Sequence, residues 1–153
     1  MKHLNIGDQA PAFSGTDQHG NAITLNDFKG KKVVLYFYPK DDTPGCTAQA
    51  CNLRDNQHEL TSKGIQVIGV SADSVKSHTK FTEKYSLPFP LVADEDRKVI
   101  EAYGVWGTKK FMGKTYDGIH RTTFIIDEDH KIIGIIDKPD TKNHSAEILK
   151  TIE

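Results

Sequence analysis

Hydrophobic residues along the chain fall into short runs that alternate with stretches of helical spacing. Residues 33–38 (VVLYFY) and 66–71 (QVIGVS) are rich in β-branched and aromatic side chains, which predicts two strands covered on both faces of a sheet. Between them, residues 46–63 have helical spacing and end before Gly64, a usual helix stop.

The rest of the chain predicts shorter elements. Residues 89–92 suit an edge strand, because Pro90 has no backbone N–H to donate. The other predicted elements are extended segments within 10–25, helices over 74–85, 96–103 and 143–152, and a hairpin formed by 122–127 and 131–137. Strands that alternate with helices and are followed by a hairpin predict an α/β fold with a mixed sheet, and a thioredoxin-like layer sandwich fits that order.

Chain length and net charge indicate how many domains to expect and which classes of binding partner are disfavoured. The chain has 153 residues without repeats or linker-like stretches, so we expect one domain over residues 1–153. Lysine and arginine total 20 against 21 acidic residues, a net charge of −1 that argues against nucleic-acid binding. Residues 1–8 lack the apolar core of a signal peptide, and the longest apolar runs are strand-sized, so we expect a cytoplasmic protein without membrane attachment.

Candidate chemistry lies in residues 38–47 (YPKDDTPGCT), where the first predicted strand ends and a helix begins. In α/β sheets, this edge is where ligands usually bind. Thr43 suits the N-cap position and Pro44 the first helical position. Cys46 then falls in the first turn, where free backbone N–H groups and the helix dipole favour a reactive thiolate. The alternative is that Cys46 is a small buried apolar residue behind an ordinary helix cap.

A second cysteine, Cys51, changes the interpretation of the first. Its five-residue distance from Cys46 puts the two Cα atoms roughly 8.5–9 Å apart on an intact helix. Disulfides need Cα separations below about 7 Å, so a structural disulfide is disfavoured and a transient one requires the helix to unwind in part. The spacing also differs from Cys-x-x-Cys, and His58 alone does not complete a zinc site. The pair therefore favours redox chemistry over metal binding.

Arg121 is the other candidate residue. Arginine occurs only three times in the chain, and Arg121 stands directly before the apolar residues 122–126. A guanidinium at the start of a strand would stabilise a thiolate and orient a peroxide through its planar donors. An ordinary surface salt bridge is the alternative, and spacing alone favours it. Asp41 and Asp42 are predicted to be turn residues.

These residues carry a resemblance to a known family. Residues 39–46 (PKDDTPGC) match the Pro-x-x-x-Thr-x-x-Cys motif of peroxiredoxins, and the step from Cys46 to Cys51 matches the resolving cysteine of the Q-type, or bacterioferritin comigratory protein, subfamily. Further matches lie at residues 37–39 (FYP), 103–107 (YGVWG) and 118–124 (GIHRTTF). The chain thus resembles a Q-type peroxiredoxin over almost its whole length.

The resemblance implies a role for each matched residue. Cys46 would be the peroxidatic cysteine and Cys51 the resolving cysteine. Thr43 would hydrogen-bond the thiolate and the peroxide, and Arg121 would stabilise the thiolate and the transition state. Pro39 would shield the sulfur from water.

The implied activity is that of a thioredoxin-dependent, atypical 2-Cys peroxidase that reduces hydrogen peroxide and organic hydroperoxides without a cofactor or metal. A sulfenic acid on Cys46 would be resolved by Cys51 as an intramolecular disulfide, and thioredoxin or a similar dithiol would restore both thiols. We expect a monomer that binds neither nucleic acid nor membrane. Two alternatives stay open, a redox sensor or holdase and a protein thiol–disulfide oxidoreductase. Gln49, where many relatives carry Glu, and His130, which replaces a turn glycine, depart from the family pattern.

Overall fold

The computed structural model describes residues 4–152. Met1 to His3, which begin the polar start considered above, and Glu153 lie outside the described residues. The strands are β1 (Ser14–Thr16), β2 (Ala22–Thr24), β3 (Lys32–Phe37), β4 (Ile65–Ser71), β5 (Leu91–Ala93), β6 (Trp106–Phe111), β7 (Lys114–Ile119), β8 (Thr122–Ile126) and β9 (Ile132–Ile136). The helices are α1 (Pro44–Asp55), α2 (Gln57–Ser62), α3 (Val75–Tyr85), α4 (Lys98–Ala102) and α5 (His144–Ile152), and Leu25–Phe28 form a 3-10 helix.

A five-stranded sheet in the order β5-β4-β3-β8-β9 forms the centre of the molecule. Strand β3 lies in its middle, parallel to β4 and antiparallel to β8. Alternate residues of β3 belong to two separate apolar clusters, with Leu35 in one and Tyr36 in the other. Helix α4 contributes to the first cluster, whereas α1, α3 and α5 contribute to the second. A central mixed sheet flanked by helices confirms the predicted fold class.

The helix predicted over residues 46–63 is two helices, because Asn56 interrupts it. Asn56 has φ −110° and ψ 15°, outside helical geometry. Its side-chain amide donates to the carbonyl of Asn52 at 2.8 Å. A short amide side chain that bonds the carbonyl four residues earlier competes with the backbone pattern of the helix. The prediction of one continuous helix was wrong at this residue.

Two elements begin later than predicted. Strand β5 begins at Leu91 and lies at the edge of the sheet, as Pro90 indicates. Helix α4 begins at Lys98, and the buried carboxylate of Asp94 accepts hydrogen bonds from the backbone N–H groups of Val99 at 3.2 Å and Ile100 at 2.8 Å. Asp94 thereby stabilises the start of α4 from outside the helix.

The hydrophobic pattern did not predict the hairpin formed by β6 and β7. This hairpin is a separate two-stranded sheet, and residues 110–117 are all exposed, including Phe111 and Met112 near its tip. Because these residues cover no core, their sequence lacks the alternation that marks a half-buried strand. Among the described residues, no helix is long and apolar enough to span a membrane.

Candidate active site at the start of helix α1

The strand-to-helix connection places Cys46 in the first turn of α1, as predicted. Thr43 is the N-cap residue, with extended backbone at φ −96° and ψ 156°, and Pro44 is the first helical residue. The hydroxyl of Thr43 makes no cap hydrogen bond and donates instead to the carbonyl of Lys40 at 2.9 Å. The backbone N–H groups of Gly45 and Cys46 have no acceptor within the helix, because the first turn always leaves such donors free. They are therefore available to an anion at the sulfur.

Arg121 lies against Cys46 although it comes 75 positions later in the sequence. Its Nη2 donates to the Cys46 sulfur at 3.2 Å. The contact follows from the sheet, because β8 begins with Thr122 directly opposite Phe37, the last residue of β3. Cys46 itself is 1% exposed, so its sulfur is largely withdrawn from water. A guanidinium on a buried sulfur stabilises its thiolate form.

Gln49, one turn after Cys46, orients the guanidinium. Its Oε1 accepts a hydrogen bond from Arg121 Nη1 at 2.7 Å, and the side chain is fully buried. Gly45 leaves room for the approach, because a Cβ at this position would lie 3.2 Å from Arg121 Nη2. The alternative of an ordinary surface salt bridge for Arg121 does not hold, since none of its partners among the described residues is a carboxylate.

The roles of Cys51 and Pro39 stay predictions, since neither makes a hydrogen bond to the Cys46 sulfur among the described residues. Cys51 is half-buried, lies in α1 with Cys46, and both cysteines are free thiols. Pro39 is half-buried between the buried Tyr38 and the exposed Lys40. A bond between the two sulfurs requires α1 to change its conformation, because both cysteines lie within one continuous helix.

Asp41 is the residue of the site that sequence reasoning missed, since it is far more than a turn residue. It is 8% exposed, and its carboxylate accepts hydrogen bonds from Tyr38 at 2.6 Å and Ser77 at 2.8 Å. The ring of His78 is fully buried, and its Nδ1 lies 2.7 Å from the same carboxylate. The backbone N–H of Asp41 donates to Asp73 at 2.8 Å. The sequence predicted a helix over residues 74–85, which contains Ser77 and His78. No pattern along the chain indicated that this helix packs against the loop of Asp41.

Its neighbour Asp42 is also fixed to α3. Asp42 has φ +56°, an uncommon conformation for a residue other than glycine. Its carboxylate accepts hydrogen bonds from Lys84 Nζ and from the Tyr85 hydroxyl, each at 2.8 Å. Both hydrogen bonds hold the carboxylate in its charged form and lower the pKa of Asp42. Asp41 and Asp42 both lie in a turn, as predicted, and α3 holds both side chains.

Charged groups of the site also shift the pKa values of two neighbouring side chains. Burial raises the pKa of Tyr36 well above its usual value, and negative charge on Cys46 and Asp41 raises it further. Burial, followed by the positive charge of Arg121, lowers the pKa of Lys109 on β6. Lys109 Nζ also donates to the carbonyl of Ile119 in β7 at 2.9 Å.

One group of side chains has the composition of a metal site. The ligand atoms of Asp41, Asp73 and His78 lie within 4.8 Å of one another. Hydrogen bonds already engage these atoms, including the 2.7 Å contact between His78 and Asp41 and a 2.7 Å bond from Ser71 to Asp73. The three side chains therefore form a hydrogen-bonded network, in which each of these ligand atoms already has a partner.

Comparison with known proteins identifies the family. A model described as the AhpC/TSA family matches residues 6–135. The chain belongs to this family. It is 51% identical to Peroxiredoxin Bcp of Escherichia coli (strain K12) over 153 residues, which are 100% of this chain and 98% of that protein. The resemblance of the sequence to peroxiredoxins is thereby confirmed.

Solved structures agree with this peroxiredoxin assignment. A Cys-to-Ser variant of Xylella fastidiosa PrxQ has a TM-score of 0.93 at 33% identity, and the match covers 99% of this chain and 97% of that one. Bacterioferritin comigratory protein of Xanthomonas campestris, in structures that concern its alkyl peroxide reduction, has a TM-score of 0.86 at 34% identity, with 92% and 89% covered. These matches confirm the thioredoxin-like fold of this peroxiredoxin.

Proposed function

We propose that this peroxiredoxin reduces hydrogen peroxide and organic hydroperoxides with Cys46 as its nucleophile. The observation that carries the proposal is the 3.2 Å hydrogen bond from Arg121 to a buried sulfur in the first turn of a helix. The thiolate attacks one peroxide oxygen, so that an S–O bond forms as the O–O bond breaks. Sulfur is oxidised to a sulfenic acid, and the leaving oxygen takes up a proton to become water or an alcohol.

The neighbouring residues stabilise the charge that develops on the two oxygens. Arg121 and the free N–H groups at the start of α1 supply donors. The Thr43 hydroxyl joins them in this proposal by exchanging its hydrogen bond to the Lys40 carbonyl for one to the peroxide. Pro39 limits the access of water to the sulfur in this proposal. The buried setting strengthens each of these interactions relative to water.

Cys51 resolves the sulfenic acid in the second step. Its thiolate attacks the oxidised sulfur, an S–S bond forms, and the hydroxyl leaves as water after protonation. The first turn of α1 must unwind before the sulfurs meet, because the helix holds them too far apart. A dithiol protein, which we take to be thioredoxin, then exchanges with the disulfide and is itself oxidised.

The remaining expectations belong to the same proposal. The alkyl peroxide reduction of the Xanthomonas campestris relative supports organic hydroperoxides as substrates. Residues 1–153 would act as one domain, as a monomer in the cytoplasm, with the peroxide and the dithiol reductant as the only partners.

Stopped-flow oxidation of the reduced protein by hydrogen peroxide tests the proposal. Trp106 is half-buried beneath the Arg97 guanidinium, 4.4 Å from its ring, and serves as the fluorescent reporter. We expect a fast second-order phase that disappears in Cys46→Ser. Oxidation no faster than that of a free thiol would refute the peroxidase proposal and favour a sensor or a disulfide oxidoreductase.

A further inference from the structure

The loop that carries the reactive residues is held by side chains. Within residues 4–152, no backbone N–H of residues 39–43 donates to a backbone carbonyl, whereas Tyr38 N–H still bonds Val70 in β4 at 3.1 Å. The sheet ladder thus ends at Tyr38, and α1 begins at Pro44. Between these points, the strongest attachment of the loop is the buried Asp41, whose partners come from the end of β3, the β4–α3 connection and α3.

His78 makes this attachment rigid. Its Nε2 lies 2.9 Å from the carbonyl of Val92 in β5, a group that only accepts, so Nε2 carries a hydrogen. The other ring nitrogen, Nδ1, is hydrogen-bonded to the Asp41 carboxylate at 2.7 Å. Both side chains of this contact are fully or almost fully buried, so breaking it leaves buried polar groups without partners. His78 therefore connects the loop to α3 and β5 in one orientation.

Cys46 is positioned from both sides of β3. Arg121 approaches from β8, on one side of the strand. Asp41 is held by His78 of α3, which contacts β5 on the other side of the strand, beyond β4. Asp41 lies only five positions before Cys46, so a shift of the loop is carried into the first turn of α1. Misplacement of a reacting group by about 1 Å reduces rates by up to about 100-fold.

We propose that Asp41 and His78 are positioning residues of the peroxidase reaction, which hold the loop so that Cys46 faces Arg121. This inference rests on the proposed function of Cys46. Neither residue contacts the sulfur, and each acts through the loop.

Asp94 offers a matched control. It is 4% exposed, similar to Asp41, and also accepts hydrogen bonds from two donors of another element. It stabilises α4, which packs in the other apolar cluster, on the opposite face of the sheet from Cys46. Asp94→Asn therefore removes a buried, hydrogen-bonded carboxylate whose partners are in α4 and not in the loop.

The experiment measures the second-order rate of oxidation by hydrogen peroxide in Asp41→Asn, His78→Gln, the double variant and Asp94→Asn, at a temperature where each is folded. We expect the two single variants to react about 10- to 100-fold more slowly, the double variant no more slowly than Asp41→Asn, and Asp94→Asn within about twofold of the unsubstituted protein. Absorbance of the thiolate near neutral pH, a readout that general destabilisation does not change, should fall in the Asp41 and His78 variants alone.

Three results would overturn the inference: unchanged rates in both single variants, equal slowing in Asp94→Asn, or rate losses that add in the double variant. If Asp41→Asn does not fold, Ser77→Ala removes one donor from Asp41 and should slow oxidation by about two- to fivefold. An unchanged rate in Ser77→Ala would then count against the positioning role. Failure of the peroxidase proposal is separate, because the unsubstituted protein itself would then show no fast phase.

Discussion

Gln49 Oε1 accepts a 2.7 Å hydrogen bond from Arg121 Nη1, while Nη2 of the same guanidinium donates to the sulfur of Cys46 at 3.2 Å. The acceptor is a neutral amide that is fully buried. Gln49 therefore fixes the orientation of Arg121 without neutralising its charge. The positive charge next to the sulfur stays available to the thiolate and to the leaving oxygen.

Replacement of this amide by a carboxylate should weaken the effect of Arg121. In Gln49→Glu, the new negative charge pairs with the guanidinium and offsets its attraction for the thiolate. We expect the pH at which the oxidation rate is half-maximal to rise by about one unit or more. The new carboxylate repels the Cys46 thiolate, and one pKa unit corresponds to about 1.4 kcal/mol of such repulsion. Stopped-flow rates between pH 5 and 9 measure the shift.

Gln49→Leu is the control for that experiment. It removes the hydrogen bond without adding charge, so the rate should fall through loss of orientation while the pH midpoint changes less than in Gln49→Glu. Equal midpoints in Gln49→Glu and the unsubstituted protein would show that the charge at this position does not reach the sulfur.

Gly45→Ala should change stability and activity in opposite directions. Alanine favours a helix over glycine by about 0.5–1 kcal/mol, so the free energy of unfolding should rise or stay equal. The added Cβ lies 3.2 Å from Arg121 Nη2 and must displace the guanidinium by a few tenths of an ångström. We expect oxidation about three- to tenfold slower, since the contact with Cys46 is lengthened.

Urea unfolding and stopped-flow oxidation of Gly45→Ala give the two quantities. A rate equal to that of the unsubstituted protein would mean that the first turn adjusts around the methyl group. The interpretation of Gly45 as a residue that admits Arg121 would then be wrong.

Cys51→Ser should separate the two steps of the cycle. The first oxidation should keep its rate within about twofold, because Cys51 makes no hydrogen bond to the reacting sulfur in the described residues and serine has nearly the same size. The sulfenic acid should then persist or oxidise further, and turnover with thioredoxin should be lost. Intact-mass spectrometry after one equivalent of peroxide distinguishes these states. Full thioredoxin-dependent turnover in this variant would contradict the resolving role.

His144 makes stability depend on pH. The side chain is fully buried at the start of α5, where Nε2 contacts the Thr123 hydroxyl at 2.8 Å and Nδ1 contacts Glu147 at 3.0 Å. Burial lowers the pKa of His144, and the nearby Glu147 only partly opposes this effect. Because the folded state binds this proton less tightly than the unfolded chain does, the contribution to stability is complete above about pH 6.5 and is lost as the pH falls below it.

Urea unfolding of the unsubstituted protein and His144→Gln between pH 5 and 8 measures this dependence. The free energy of unfolding should fall less steeply toward pH 5 in His144→Gln. His58, which is exposed on α2, provides the control, and His58→Gln should leave the slope unchanged. The same slope in all three proteins would assign the dependence to other groups.

The sequence by itself determined the features that depend on near neighbours in the chain. The β-branched run of β3, Thr43 at the N-cap and Pro44 at the first helical position place Cys46 in the first turn of α1. Propensity, capping and hydrophobic period are local properties, so a single sequence contains them. The break at Asn56 escaped this reasoning because a helical period continues across it, whereas its side-chain hydrogen bond does not appear in the pattern.

Only the tertiary structure decided which distant residues surround the sulfur. The register of β8 on β3 brings Arg121 to Cys46, and the packing of α3 on the loop turns Asp41 from a predicted turn residue into a buried partner of His78. Local sequence patterns give no such pairing, because contacts between elements depend on strand order and helix packing rather than on neighbours along the chain. The resemblance to peroxiredoxins implied the role of Arg121, whereas nothing in the sequence indicated the contact between Asp41 and His78. The thiol and its helix were thus evident from the sequence, and the charge and support around them come from the fold.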